Sequence, residues 1–514
     1  VPAGAASARP QPVSGTRFLA TGAEPSVNAD GRFVAYSGGP ANASDFDAQI
    51  YMRDRRRRTT SLVSRSAVGD PGNLASTNPS ISASGRFVAF LSRASDLVPG
   101  DTNGAADVFV RDRSAGTTVR ASVSTTEAQA DGRSEAPSLS ADGRFVAFTS
   151  HARNLGGPNS FDIADIYVRD VTTGTIERAS IGVGGAEPNA DSFAPAVSGD
   201  GGTVVFTSYA SNLVGGDTNG SADVFAYDRA TRTVRRVSIA ANGDQADGPV
   251  LTFQGGPSPD FDSSVVAFGT AAPNMLGGSE EYDIVARDIA GGTVQRLSTG
   301  AGLDNLYEEA ESSGPSVSAD GRRVAFAGPG PQVPRFLGSS ALDVYVRDRG
   351  TGGITRVSQL SQCRPAEEVN GFPSISANGR WVAFQSNAIS LLAPGVYRGG
   401  PSPPVHLYVA SALPARGTEV CRIAVFPRNN DPGTNTKFRL VLSQMGRVTI
   451  RIYRRRVGRR SVLRRTLRRT GLHAGLNTIR FSPRRLAAGR YVAIANGSAR
   501  GAPSRRARFT VRRP

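Results

Sequence analysis

Two stretches of this 514-residue chain gather hard oxygen ligands around a glycine turn. "DTNGAADVFVRDR" begins at Asp101 and "DTNGSADVFAYDR" at Asp217. Asp101, Asn103 and Asp107, and again Asp217, Asn219 and Asp223, carry side-chain oxygens of the kind that hold calcium. The spacing D-x-N-G-x-x-D is not that of an EF-hand loop and lacks its terminal glutamate. Asp and Asn also favour turns, because their side chains cap nearby backbone N–H groups. Asp107 has counterparts at Asp165, Asp223, Asp283 and Asp343, most of them without "DTNG". That recurrence marks it as part of a larger repeat. Calcium at one or both loops and plain turns are both open readings.

Other chemistries find fewer residues. The only histidines are His151, His406 and His473, too few for a histidine-rich transition-metal centre. No G-x-S-x-G nucleophile elbow occurs. Loop carboxylates such as Glu308, Glu309 and Glu311 leave a glycosidase reading open, although such groups are usually solvated. The run "RRRVGRRSVLRRTLRR" places Arg454, Arg455, Arg456, Arg459, Arg460, Arg464, Arg465, Arg468 and Arg469 together. Guanidinium groups bind phosphate and carboxylate bidentately, so a polyanion patch is expected there. Few aromatic residues accompany it, Tyr453 and Tyr491 being the plausible ones, which argues against a nucleic-acid reader. The bland alternative is a solvated face made arginine-rich by GC-rich coding: the chain has one lysine, Lys437, among 60 basic residues. Cys363 and Cys421 are the only cysteines, and form either one disulfide, as suits an extracytoplasmic protein, or two buried thiols.

These residues sit on a repeat. "PSVNADGRFVAY" starts at Pro25, "PSISASGRFVAF" at Pro79, "PSLSADGRFVAF" at Pro137 and "PAVSGDGGTVVF" at Pro195. "PSPDFDSSVVAF" at Pro257, "PSVSADGRRVAF" at Pro315 and "PSISANGRWVAF" at Pro373 complete seven copies, spaced by 54, 58, 58, 62, 58 and 58 residues. Each copy reads as two short strands around an Asp-Gly turn. A loop follows, then a strand such as "ADVFVRD" and a fourth such as "GTTVRASVS". In "ADVFVRD", Val108 and Val110 are expected on one face, Phe109 and Arg111 on the other. Four strands repeated seven times predict a seven-bladed β-propeller. The last copy has only three strands, ending at "VHLYVAS". The spare "TRFLATG", with Arg17–Thr21 at its centre, is expected to supply the fourth and close the ring.

The phrase "S-A-D-G-R-x-V-A-F" followed by "D-V-Y-V-R-D" resembles the TolB-like, WD-repeat-like propellers of bacterial envelope and secreted proteins. The resemblance spans about residues 16–412 and implies fold more than function, since propellers host binders, scaffolds and enzymes alike. "SADGR" also resembles the Asp-box of sialidases but lacks that motif's spacing, and is more simply a hairpin.

Beyond Pro414 the composition changes. Residues 413–514 hold 25 Arg and Lys437 against Glu419 and Asp431, a net charge of +24, while the rest of the chain carries −7. Alternation in "VTIRIYR", "NTIRF" and "GRYVAIA" predicts a small β-sandwich, and its ending resembles Ig-like or FlgD-like domains. The whole chain is thus expected to be all-β: residues 1–15 flexible, 16–412 a propeller and 413–514 a basic sandwich. No apolar run reaches the ~18 residues that span a bilayer. The opening "VPAGAASARP" is either the remnant of a cleaved signal peptide or a flexible terminus. The expected function is non-catalytic binding of a protein or glycan at one propeller face, in a secreted, periplasmic or cell-surface protein. The tail would anchor to an acidic polymer or to a neighbouring subunit. The alternatives are a polysaccharide lyase or glycosidase, and a subunit of a head-to-tail assembly.

Overall fold

The computed structural model describes residues 17–39, 48–156, 163–250, 255–278, 282–298, 314–329, 342–361, 364–365, 370–387 and 405–412. Beyond these it describes the strands of the C-terminal region. The chain divides into two compact units. One consists of Arg17–Ser358 and Ala366–Ala412; the other gathers Leu413–Pro514 with Gln359–Pro365.

Among the described residues the larger unit holds seven four-stranded antiparallel sheets, one per sequence repeat. Blade two is representative: Ser76–Ile81, Phe87–Ser92, Asp107–Asp112 and Thr117–Arg120 pair in chain order. Blade seven takes Asn370–Ile375, Trp381–Ser386 and His406–Ser411, and its fourth strand is Arg17–Thr21 from the other end of the chain. That strand pairs antiparallel with His406–Ser411, with Arg17 opposite Val409 and Thr21 opposite His406. Two edges that would otherwise be open are thereby paired.

The third strands differ from a half-buried pattern. Val108, Phe109 and Val110 are all buried, because each sheet is covered on both faces by its neighbours. Cross-strand aromatic pairs fill the middle layer. Phe90 stacks on Phe109, Phe148 on Tyr167, Phe206 on Phe225, Phe326 on Tyr345 and Phe384 on Tyr408, with centroids 5.7–6.1 Å apart.

The hairpin between the first two strands, S-x-D-G in blades three, four and six, joins each blade to the next. In blade three, Ser140 Oγ donates to Asp142 Oδ1 at 2.6 Å and accepts from Phe145 N–H at 2.9 Å. Gly143 turns the chain at φ +83°, and a Cβ there would lie 2.3 Å from the ring of Phe87 in blade two. Gly85 meets Phe33 in the same way, Gly201 meets Phe145, and Gly31 of blade one meets Trp381 of blade seven. Backbone bonds complete the circuit. Ala29 N–H donates to Ala83 O, Ala83 to Ala141, Ala141 to Gly199, and Asp200 to Phe261. Phe261 then donates to Ala319, Ala319 to Ala377, and Asn378 back to Ala29.

A second circuit uses the serine of the "PS" dipeptide. Ser26, Ser80, Ser138, Ser258, Ser316 and Ser374 each accept a backbone N–H from the following blade. The step from blade four to blade five is the exception. The donor position there is Pro259, which has no N–H, and the acceptor position is Ala196, which has no hydroxyl. Both halves of one hydrogen bond are missing together, so no buried polar group is left unpaired.

In the smaller unit, Val420–Phe426, Thr436–Leu442 and Gly475–Phe481 form one sheet. The other has the order Asn429–Asn430, Arg505–Val511, Gly489–Asn496, Gly446–Arg456 and Arg459–Leu472. Val448, Ile450, Ile452, Leu467, Tyr491, Ala493 and Ala495 form its buried face. No helix among the described residues is long and apolar enough to cross a membrane.

Candidate functional site

The two "DTNG" loops lie at the end of the blades where the second strand leads into the third. Asp107 begins the third strand and is wholly buried. Its Oδ1 accepts a short hydrogen bond from Ser122 Oγ, and its Oδ2 accepts from Asn103 Nδ2 at 2.9 Å. Arg120, from the fourth strand, brings Nη1 to 3.6 Å from Asp107 Oδ2 and 3.4 Å from Asp101 Oδ1. The same nitrogen donates to Gln129 Oε1 at 2.7 Å, and Nη2 donates to Gly100 O. Asn103 also donates to Ala130 O, which directs its amide NH₂ inward, while its Oδ1 accepts from Ala105 N–H.

The second loop repeats this arrangement with Arg236 between Asp217 (3.2 Å) and Asp223 (3.5 Å). Ser238 donates to Asp223 and Asn219 reaches both Asp223 and Ala246 O. The donor set therefore does not fit calcium. A guanidinium already sits between the carboxylates, and the asparagine that would offer an oxygen offers N–H instead. Among the described residues no group of three or more His, Cys, Asp or Glu is arranged to hold a metal ion.

This is a general blade element. Asp165, Asp283 and Asp343 each accept from a serine, Ser180, Ser298 and Ser358, and face an arginine, Arg178, Arg296 and Arg356. Burial pushes the Asp107, Asp165, Asp223 and Asp343 carboxyls up, and the serine and arginine partners pull them back. Blade one solves the problem without charge. Gln49 stands where the aspartate would be and Leu62 where the arginine would be; Ser64 Oγ donates to Gln49 Oε1 at 2.7 Å. Gln49 Nε2 donates to Gly72 O at 3.1 Å, the bond that Asn103 makes to Ala130 O in blade two. In blade seven the position is His406. It is buried, with Nδ1 3.5 Å from Thr21 Oγ1, and burial lowers its pKa.

At the opposite end of the sheets, a second set of ion pairs fixes the hairpins. Arg32 binds Asp54, Arg86 binds Asp112 and Arg144 binds Asp170. The arginine hydrogen bonds hold Asp54 and Asp112 at about 2; Asp170 also falls to about 2, its burial outweighed by Arg144 and two backbone N–H groups.

What breaks the repeat lies at the long-loop end, around the first strands. These line the central axis, since each contacts the first strands of its neighbours. The residue after the second strand donates its backbone N–H to a carbonyl just before the first strand or, in blade five, just before the Val250–Thr270 bridge. Arg93 does so to Ala75, His151 to Arg133, Tyr209 to Asp191 and Ala271 to Pro249, all at 2.9–3.1 Å. The backbone is constant while the side chain changes from arginine to histidine to tyrosine to alanine. In blade three, Arg133 Nη2 donates to His151 Nε2 at 2.8 Å. With Asp131, Gly132 and Arg153 these residues line an open cleft of about 550 Å³. In blade four, Tyr209 is 52% exposed and its ring lies against Phe193, with centroids 5.6 Å apart. The second strand of blade three contacts the first strand of blade four. The sequence reading passed over Arg133, Phe193 and Tyr209. The signal for them was departure from the repeat: Phe193 stands where the other copies have Ala23, Thr77, Glu135, Gly255, Ser313 and Gly371.

In the smaller unit, Arg454, Arg464, Arg465, Arg468 and Arg469 lie on two paired strands, with Arg464, Arg468 and Arg469 exposed. Arg455, Arg456, Arg459 and Arg460 fall on the same strands, but their side chains lie outside the described residues, as does the side chain of Cys421. Cys363, His473, Glu308, Glu309 and Glu311, and the segment 1–16, lie outside them altogether.

With seven sheets closed into a ring, the larger unit's fold is settled. It is a β-propeller. Similar solved structures include a putative TolB from Agrobacterium tumefaciens, 14% identical over 72% of this chain and all of that one, with a TM-score of 0.38. The β-propeller domain of the Trilobed protease from Pyrococcus furiosus is 10% identical, covering 78% of this chain and 97% of that one, with a TM-score of 0.45. A GH74 xyloglucanase from Xanthomonas campestris is 9% identical, covering 95% of this chain and 82% of that one, with a TM-score of 0.30. The likeness is one of fold. No family description matches the chain, and no curated protein does.

Proposed function

We propose that this propeller is a non-catalytic binding scaffold of the cell envelope or exterior. It would engage a protein or glycan at the long-loop mouth of the ring, while the arginine-rich unit anchors it to an acidic polymer or to the acidic propeller of a neighbouring copy. One observation carries the reading. Among the described residues the buried carboxylates of the repeating blades are tied to arginine or serine in a role that recurs from blade to blade, whereas at the long-loop end of blades three and four the side chains that follow the second strand change on a constant backbone and are open to solvent. Recurring groups serve the fold; those that diverge on a fixed backbone are free to serve recognition. The charges of +24 and −7 support the anchoring part.

The test is incubation of the full chain with acidic and neutral polysaccharides, following binding and product together. Binding without product is expected. The tail-borne part should fade as salt rises towards ~1 M, where the Debye length is about 3 Å. Steady release of cleaved product, lost in Glu135→Gln, would replace this reading with an enzyme.

A further inference from the structure

In the smaller unit, strand pairing fixes what the open face of the five-stranded sheet carries. Val448, Ile450, Ile452, Tyr491, Ala493 and Ala495 turn to the buried side, so the residues alternating with them point outward. On that outer face Leu463, Tyr453 and Val492 stand side by side in one row across three strands. Leu463 is 46% exposed, and Tyr453 and Val492 are half-buried. The next row on one side holds Arg451 and, one strand past Ile494, Arg506. On the other side, two residues before Val492 on the same strand, is Arg490. All three arginines are exposed.

With strands ~4.8 Å apart and ~3.3 Å per residue along each, the apolar row is about 10 Å long and the arginine rows lie about 7 Å to either side. The five strands contain no aspartate or glutamate, so they offer these guanidiniums no anionic partner of their own. The face therefore pairs a short apolar row with cations on both flanks. A polyphosphate chain would use the cations and leave the row wet. A chain of pyranose rings bearing carboxylates uses both, its C–H faces on the row and its carboxylates in the bidentate forks.

We infer that this sheet face binds an acidic polysaccharide laid across the strands, with sugar rings on Leu463, Tyr453 and Val492 and carboxylates on Arg451, Arg506 and Arg490. The inference rests on the anchoring part of the proposed function, and adds where the polymer lies and that it is a glycan. Arg469 supplies an internal control. It is exposed as well, but it stands opposite the buried Val448 and so off this face.

The experiment uses the full chain, with octamers of galacturonate and of mannuronate, neutral cellohexaose, polyphosphate, and vesicles of phosphatidylglycerol in phosphatidylcholine. Calorimetry follows the soluble probes and co-sedimentation the vesicles. At least one uronate should bind, with cellohexaose and polyphosphate markedly weaker. Arg451→Gln and Arg506→Gln should each weaken the uronate about 10-fold, the loss expected for one charge-assisted contact, whereas Arg469→Gln should change it by about 2-fold at most. Tyr453→Ala should weaken it too, and Tyr453→Phe should restore most of the loss, which keeps the test valid if the alanine variant melts lower. If Arg469→Gln costs as much as Arg451→Gln, overall charge holds the polymer; this face is overturned and the anchoring reading stands. Polyphosphate binding as tightly as uronate, with Tyr453→Phe and Tyr453→Ala both silent, overturns the glycan and also leaves anchoring intact. Vesicles bound while both uronates are ignored would assign the face to a lipid surface and overturn the inference. If no probe binds, it falls as well, and anchoring is left to the propeller of a neighbouring copy.

Discussion

The Asp–Arg–Ser element can be tested by borrowing blade one's solution. In blade three, Asp165 is wholly buried, accepts from Ser180 Oγ at 2.6 Å, and has Arg178 Nη1 3.5 Å from its other oxygen. Replacing Arg178 by leucine removes the countercharge and leaves the carboxylate in the core. Breaking a buried pair from one side costs about 3–5 kcal/mol. For a unit of this size that is a fall in Tm of order 5 °C. The double variant Asp165→Gln/Arg178→Leu reproduces the Gln49 and Leu62 of blade one. It should recover to within about 1 kcal/mol of the parent, giving a coupling energy of at least ~2 kcal/mol in the double-mutant cycle. pH supplies a second reading. Burial already raises Asp165 in the folded state, and losing Arg178 raises it further. A carboxyl with a raised folded pKa destabilises most when ionised, above both pKa values. The deficit of Arg178→Leu should therefore shrink as pH falls from 7 towards 4. Thermal and urea unfolding at several pH values are the assay. A double variant as unstable as the single, or a single variant that melts like the parent, would refute the reasoning.

Three further outcomes are expected. Deleting residues 1–22 removes the fourth strand of blade seven and should lower the melting temperature sharply or cause aggregation; unchanged melting would place the closure elsewhere. The Asp54, Asp112 and Asp170 pairs have folded pKa values near 2, below the ordinary ~4, so their contribution is present above pH ~4 and drains away as pH falls towards 2. Replacing Arg32, Arg86 and Arg144 together by glutamine should flatten the melting profile over that window. Chelator should leave the melt unchanged, since Arg120 and Arg236 occupy the places between the loop carboxylates; a fall reversed by calcium would restore the metal reading.

The repeat was legible because the hairpins draw on the same few kinds of residue: a short polar side chain to cap, a glycine at positive φ in six of the seven, and in four an aromatic that lies on the next blade's glycine. The position of Asp107 in that repeat was legible too, since its counterparts recur without "DTNG". The cation that faces it was not. Arg120 is thirteen residues away on another strand, and in a chain with so many arginines no single one stands out. Ala196 and Pro259 lie 63 residues apart with nothing in the sequence to link them, and only the blade-to-blade register shows that the two changes answer each other. The mouth was illegible for the opposite reason. Phe193 and Tyr209 follow no pattern, and pattern is what a single sequence offers.

Closing the ring with Arg17–Thr21 has a consequence for how the chain is made. Thr21 meets His406 across 385 residues. At roughly 5–20 residues per second, that strand waits about 20–80 s for its partner during synthesis. Throughout that time blades one to six can assemble in order while Arg17–Thr21 remains without its neighbour in blade seven. Its apolar residues, Phe18 and Leu19 among them, are then available to any chaperone or export factor that handles the nascent protein. The strand made before all the blades is thus the last of the ring to be paired.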